Sequence, residues 1–164
     1  MKQIILMRHC HAASRQTGES DESRGLDGKG IRQAAVIGSK MVSNRMYPDL
    51  IIHSSAVRAL ETASIIKDAL ESDCVMQPEP LLYSASLRIY EEIICSVPDI
   101  HTTVMLIAHN PVLEEVVSNL LAKHTGMGTA HLLFADIKID FWRDFKLSGN
   151  TFIKTQFLSP ESSE

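Results

Sequence analysis

The segment LMRHCHAAS, residues 6–14, places an arginine, two histidines and a cysteine in one short stretch after an apolar run. Such a set could supply a thiolate nucleophile, metal ligands, or an imidazole nucleophile beside a guanidinium. Each chemistry needs partner residues elsewhere in the chain, and the spacing of those partners distinguishes the three possibilities.

The spacing disfavours a cysteine nucleophile. Cysteine-based phosphatases carry an arginine in a C-x5-R pattern, and the position that this pattern requires after Cys10 holds Gln16. Neither of the other two cysteines has an arginine at that distance.

A metal site is only weakly indicated. His9, His11, His53 and His109 could act as ligands, but the sequence contains neither a C-x-x-C nor an H-x-x-x-H pair. We therefore expect no metal and no other cofactor.

Strand and helix patterns alternate along the chain, which predicts an α/β sandwich on a mainly parallel sheet. The predicted strands cover 3–7, 49–54, 73–77 and 103–108, with a hairpin formed by 131–139 and 151–158. Helices are expected after residue 30, from about 55 to 70, at 86–97 and from 111 to 121. Asp27 and Asn110 are the expected N-caps of the first and last helices.

Four residues are expected to meet at one edge of this sheet. Arg8 and His9 follow the first strand, Arg58 lies shortly after the second, and His109 follows the strand at 103–108. Ligands of such sheets bind beyond the carboxyl ends of the strands. Because guanidinium forks match phosphate oxygens and a neutral imidazole is a competent nucleophile, we predict that His9 attacks phosphorus while the other three hold the phosphoryl group.

Five segments in order carry a family resemblance: LMRHCHA, SRGLDGKGIRQA, PDLIIHSSAVRALETA, PLLYSAS and MLIAHNPVLEEVVSNL. They resemble the histidine phosphatase (phosphoglycerate mutase-like) superfamily, in particular its SixA-type phosphohistidine phosphatases, up to about residue 123. The resemblance implies a three-layer α/β/α sandwich, a phosphorylated His9, and a phosphate pocket completed by Arg8, Arg58 and His109. It also implies that Arg24 reaches the phosphate.

Three residues depart from the family pattern. Gly25 stands where the family usually has proline, Cys10 where it has glycine or alanine, and His53 where it often has serine. We expect Gly25 to loosen the loop that carries Arg24. Cys10 and His53 are expected to narrow the pocket or, for the thiol, to make it sensitive to oxidation.

The predicted activity is dephosphorylation of histidine-phosphorylated proteins, with phosphate as product and a covalent phosphohistidine intermediate. Ester cleavage would call for a carboxylic acid that protonates the leaving alkoxide, and Glu79 is the candidate. An imidazole leaving group depends less on protonation by a carboxylic acid than an alkoxide does. A small-molecule phosphomonoesterase or phosphoramidate hydrolase of the same fold, and a phosphate-binding module with little turnover, remain alternatives.

The length and composition fit one domain and argue against a nucleic-acid-binding protein and against a membrane-spanning one. The 164 residues carry a net charge of −4, which gives no electrostatic basis for binding nucleic acid, and no segment is apolar enough to span a membrane. The odd number of cysteines, three, favours a reducing compartment. We expect one domain over 1–158, a disordered tail over 159–164, and a cytoplasmic monomer.

Overall fold

The computed structural model describes residues 1–161 and contains a six-stranded sheet covered by helices on both faces. The elements are β1 Lys2–Arg8, α1 Gly28–Ser43, β2 Leu50–His53, α2 Val57–Ala69, β3 Val75–Pro78, α3 Leu87–Cys95, β4 Thr103–Ala108, α4 Val112–Leu121, β5 Leu132–Ile137 and β6 Phe152–Leu158, with short 3₁₀ helices at Pro80–Tyr83 and Trp142–Asp144. Within the described range, no helix has the length and apolar character needed to cross a bilayer.

The strands are arranged in the order β3-β2-β4-β1-β5-β6. The first four are mutually parallel, and β5 and β6 run antiparallel as the predicted hairpin. The expectation of a mainly parallel sheet is therefore confirmed.

The pairing register aligns the carboxyl ends of three strands. Arg8 at the end of β1 lies opposite Ala108 of β4, and His53 at the end of β2 lies opposite Ile107 of β4. Because β2, β4 and β1 are adjacent, the residues that follow them emerge at one edge of the sheet.

Alternate residues of the buried strands supply two separate cores. Ile4 and Leu6 of β1 pack on the side covered by α3 and α4, whereas Ile5 and Met7 pack on the side covered by α1 and α2. Since both faces are covered, the central strands consist of almost continuous apolar residues, as parallel sheets require. The three-layer α/β/α prediction is confirmed.

One of the two predicted helix caps is confirmed and the other is wrong. The Asp27 carboxylate accepts the Gly30 N–H and caps α1. Helix α4 instead begins after Pro111, and the Asn110 amide group donates to the carbonyl of Met127 and to Glu114. Met127 lies in the loop after α4, and Glu114 lies in α4 itself. The contact with the Met127 carbonyl thus takes the place of a hydrogen bond to the N-terminal N–H groups of the helix.

The predicted tail extends past the described residues. At its start, the Lys40 ammonium donates to the carbonyl oxygens of Ser159 and Glu161, at 2.7 and 3.0 Å. Residues 162–164 lie outside the described range, and the prediction of disorder there stays a prediction.

The first turn of α1 lies directly against the backbone that follows β1. A Cβ at Gly30 would lie 2.0 Å from the carbonyl oxygen of His11, whereas one at Gly28 would meet only the flexible end of Arg32 at 3.3 Å. We predict that Gly30→Ala lowers the free energy of unfolding by roughly 2–3 kcal/mol, because neither backbone can yield.

Gly28→Ala is the matched control, and we expect it to leave stability unchanged or to raise it by about 0.5–1 kcal/mol through helix propensity. Urea denaturation of the two variants measures both effects. Equal stabilities would contradict the close packing of α1 on the segment after His9.

Candidate active site

A cavity of about 370 Å³ opens at the carboxyl ends of β1, β2 and β4. All five residues predicted from the sequence line it, and three further residues join them. The lining residues are Arg8, His9, Asp21, Arg24, Arg58, Tyr83, His109 and Asn110.

His9 presents a defined ring nitrogen to this cavity. Its Nδ1 lies 2.7 Å from the carbonyl oxygen of Cys10. Because a carbonyl oxygen only accepts, Nδ1 carries the proton, and Nε2 keeps its lone pair. Burial, reinforced by the nearby guanidiniums, lowers the pKa of His9 to about 4, so the ring is neutral near pH 7.

Two guanidiniums have N–H groups without a protein acceptor. The Nη1 of Arg8 donates to the Met127 carbonyl at 3.1 Å, and Arg58 is only 5% exposed. Within residues 1–161, the Nε atoms of both side chains are buried and find no hydrogen-bond partner. Since buried polar groups are nearly always paired, these two donors are unsatisfied groups at the edge of the cavity.

The loop before α1 places Asp21 between two arginines. Its carboxylate receives Arg24 Nε at 3.0 Å and Arg58 Nη2 at 2.9 Å, and its backbone carbonyl accepts Arg58 Nη1 at 2.7 Å. Tyr83 Oη also donates to this carboxylate, at 2.7 Å. These donors, Tyr83 foremost, hold the pKa of Asp21 far below its usual range.

His109 faces His9 across the cavity. The two ring centroids are 4.9 Å apart, and Nε2 of His109 lies 2.7 Å from the Ser54 hydroxyl. Burial first, then the neighbouring ring and guanidiniums, lower the pKa of His109 to about 3. Both imidazoles are therefore neutral near pH 7.

The charges of the lining residues suit a phosphate dianion. Three guanidiniums and one ionised carboxylate give a net charge of +2, since both imidazoles are neutral. Arginine forks are well matched to phosphate oxygens. The arrangement can hold a phosphoryl group and offer it a neutral imidazole nucleophile.

Sequence reasoning missed three residues that shape this site. Asp21 lies three residues before Arg24, and Ser54 follows β2 directly. Glu114, one turn after Asn110, accepts the N–H of Met127 at 2.9 Å and so fixes the segment whose carbonyl holds Arg8. Strand ends and i,i+3 or i,i+4 spacing were the available signals, but none of them specifies a partner.

Two of the departures from the family pattern lie away from the cavity. Cys10 is fully buried in the core beneath α1 and α2, and burial raises the pKa of its thiol to about 12. His53 is buried too, with Nδ1 bonded to the Ser54 carbonyl at 2.9 Å. The expectation that these two side chains narrow the pocket is wrong, because Cys10 packs into the core after the end of β1 and neither side chain lines the cavity.

The third departure lies on the loop, and the acid candidate lies outside the cavity. The Glu61 carboxylate covers Gly25 and accepts the Leu26 N–H at 2.7 Å. Glu79 accepts the Leu81 N–H at 3.0 Å as the cap of the first 3₁₀ helix, and it is not a lining residue. Glu79 is therefore not placed to protonate a leaving group.

No potential metal cluster is found in the part of the chain that the structure describes. Nowhere in residues 1–161 do three or more His, Cys, Asp or Glu side chains come close enough to hold an ion. The histidines considered as ligands instead make separate contacts with backbone carbonyls, Asp27 and Ser54.

The lowered pKa of His9 can be measured directly. We predict that its ring resonances titrate with a midpoint near pH 4, instead of the ordinary value of 6.5, so that protonation begins only below about pH 5. NMR titration of the protein measures this, with a His9→Gln variant to assign the signals. A midpoint near 6.5 would contradict a neutral, desolvated ring.

The carboxylate of Asp21 competes with an anion for two arginines. We predict that Asp21→Asn binds inorganic phosphate about tenfold more tightly, because a unit charge ~6 Å from a dianion costs about 1.4 kcal/mol in a water-like dielectric. Glu22→Gln, on the same loop but outside the cavity, is the control for calorimetric titration. Weaker binding would show instead that Asp21 acts mainly by orienting the guanidiniums.

Known proteins share this fold. The sequence model of the histidine phosphatase superfamily (branch 1) matches residues 4–91. A structure assigned as phosphohistidine phosphatase SixA from Agrobacterium tumefaciens is 27% identical, with a TM-score of 0.80 over 98% of this chain and 99% of that one.

Two further relatives extend the comparison. The protein histidine phosphatase SixA complexed with tungstate has a TM-score of 0.80 at 18% identity, over 96% of this chain and 97% of that one, which shows a shared fold. An uncharacterized chloroplastic protein of Arabidopsis thaliana is 28% identical over 99% of this chain and 79% of its own length. With more than half of its sequence matched by the family model, this chain belongs to the histidine phosphatase superfamily and is a phosphatase.

Proposed function

We propose that this phosphatase removes phosphate from phosphohistidine side chains of proteins, through a covalent phosphohistidine formed on His9. The observation that carries the proposal is the pairing of a neutral ring, whose Nε2 is unprotonated, with three arginines around one cavity. At neutral pH, the unprotonated nucleophile and the positively charged arginines are therefore present in the same cavity.

The reaction proceeds in two displacements. The ring of the substrate takes up a proton from water on its nitrogen remote from phosphorus, the lone pair of His9 Nε2 attacks phosphorus in line, and the P–N bond breaks with its electron pair returning to the ring, which leaves as neutral imidazole. Water then attacks the phosphoenzyme, and phosphate leaves as His9 is restored. Arg8, Arg24, Arg58 and His109 stabilise the phosphoryl oxygens in both steps.

The identity of the leaving group is argued from the acids in the cavity. Among the described lining residues, Asp21 alone carries a carboxyl group, and its low pKa keeps it ionised at neutral pH. An alkoxide leaves poorly without a proton donor, whereas an imidazole is a far better leaving group. This contrast favours a P–N bond over a phosphate ester.

A protein substrate agrees with the similarity to the SixA structure from Agrobacterium tumefaciens.

We further propose that the protein acts as a monomer in the cytoplasm. Support for a reducing compartment comes from Cys10, Cys74 and Cys95, which are free thiols in the structure.

The decisive assay uses a phosphotransfer protein labelled on its histidine. We expect the wild-type protein to remove the label and to form a transient, acid-labile phosphoenzyme, while His9→Ala does neither. The catalytic rate should fall by at least a thousandfold, as is usual when a covalent nucleophile is removed. His11→Ala is the matched control, because the His11 ring is bonded to Asp27 and does not line the cavity.

Two other outcomes would point to the alternatives. Turnover of phosphate esters at rates equal to those of phosphohistidine would indicate a phosphomonoesterase. Tight binding of phosphate without turnover of either class would indicate a binding module, and it would overturn the proposed function.

A further inference from the structure

Ser54 and His109 are brought together by the register of two parallel strands. Ser54 follows β2 directly, His109 follows β4 directly, and the N–H of Ser54 donates to the carbonyl of Ile107 at 3.1 Å. The serine hydroxyl therefore lies beside the histidine ring because of backbone pairing, independently of any substrate.

The hydrogen bonds of the Ser54 hydroxyl determine its direction of donation. Its oxygen accepts the N–H of Ala56 at 3.3 Å, and it lies 2.7 Å from Nε2 of His109. Ser54 is 0% exposed, so its hydroxyl proton needs a protein acceptor. Within the described residues, His109 Nε2 is that acceptor. A proton on Nε2 would instead leave the buried hydroxyl proton unsatisfied, at a free-energy cost.

This direction of donation places the ring proton of His109 on Nδ1. Nδ1 is buried and has no hydrogen-bond partner among residues 1–161, and the ring lines the cavity. The oxygens of a phosphoryl dianion only accept. An Nδ1–H group is thus the form of neutral His109 that can bind one of them.

We propose that Ser54 is a positioning residue that holds His109 in its Nδ1–H tautomer, so that an uncharged imidazole donates to the phosphoryl group. Two neutral rings 4.9 Å apart then differ in function: His9 presents a lone pair, and His109 presents an N–H. The effect on turnover rests on the proposed function, whereas the tautomer and the binding of phosphate do not.

Nitrogen-15 NMR of the histidine rings tests the tautomer without any substrate. We expect the wild-type His109 to carry its proton on Nδ1, and Ser54→Ala to shift protonation towards Nε2. Ser64→Ala, which removes an exposed hydroxyl bonded to the Leu60 carbonyl on α2, is the control and should leave the His109 signals unchanged. A wild-type proton on Nε2, or an unchanged tautomer in Ser54→Ala, would overturn the proposal.

A double-mutant cycle with inorganic phosphate separates positioning from packing. Ser54→Ala should weaken phosphate binding by about tenfold, as expected for the loss of one hydrogen bond to a charged group. Asparagine at 109 offers an amide N–H near the place of Nδ1 and has no tautomers. We therefore expect Ser54→Ala to have no further effect on phosphate affinity in a His109→Asn protein.

Equal losses of affinity in both backgrounds would mean that Ser54 only packs the site, and they would overturn the proposal. If the wild-type protein fails to dephosphorylate phosphohistidine, the proposed function fails, yet the NMR and phosphate measurements still decide the tautomer. With turnover present, we expect Ser54→Ala to lower kcat for phosphohistidine, and Ser64→Ala to leave it unchanged.

Discussion

The parallel pairing of β2, β4 and β1 is the constraint on which the site depends. A shared register makes the three strands end at the same edge of the sheet. Backbone hydrogen bonding therefore fixes the positions of the residues there, which are Arg8, His9, His109 and Ser54. The apolar layers on both faces of the sheet keep that register in place, since a slip of one residue would move each buried side chain into the opposite core, which is packed for other side chains.

Concentrating positive charge in one place creates an electrostatic problem that the surrounding residues resolve. Asp21 neutralises part of the repulsion between Arg24 and Arg58. The two imidazoles avoid adding to it, because burial and the guanidiniums keep both uncharged. The site thereby remains cationic enough for a dianion while its nucleophile stays unprotonated.

Backbone carbonyl groups and loops orient the side chains that the strand ends bring to the cavity. The Cys10 carbonyl orients His9, and the Met127 carbonyl holds Arg8. The first N–H groups of α2 donate to the carbonyls of Glu22 and Arg24, which ties the loop carrying Asp21 to the helix carrying Arg58. Many contacts that shape the cavity are thus made by groups that every residue type possesses.

The sequence by itself predicted the fold class from apolar periodicity and placed Arg8, His9, Arg58 and His109 at one edge from their positions after strands, because both are local patterns; Arg24 came from the family resemblance. It misplaced Cys10, His53 and Glu79 relative to the cavity, and it did not identify Asp21, Ser54 or Glu114 as partners. Those assignments depend on how the segments that follow the strands turn and on which loop or helix packs against them. Only the tertiary structure decided them, since contacts between residues distant in sequence leave no local pattern.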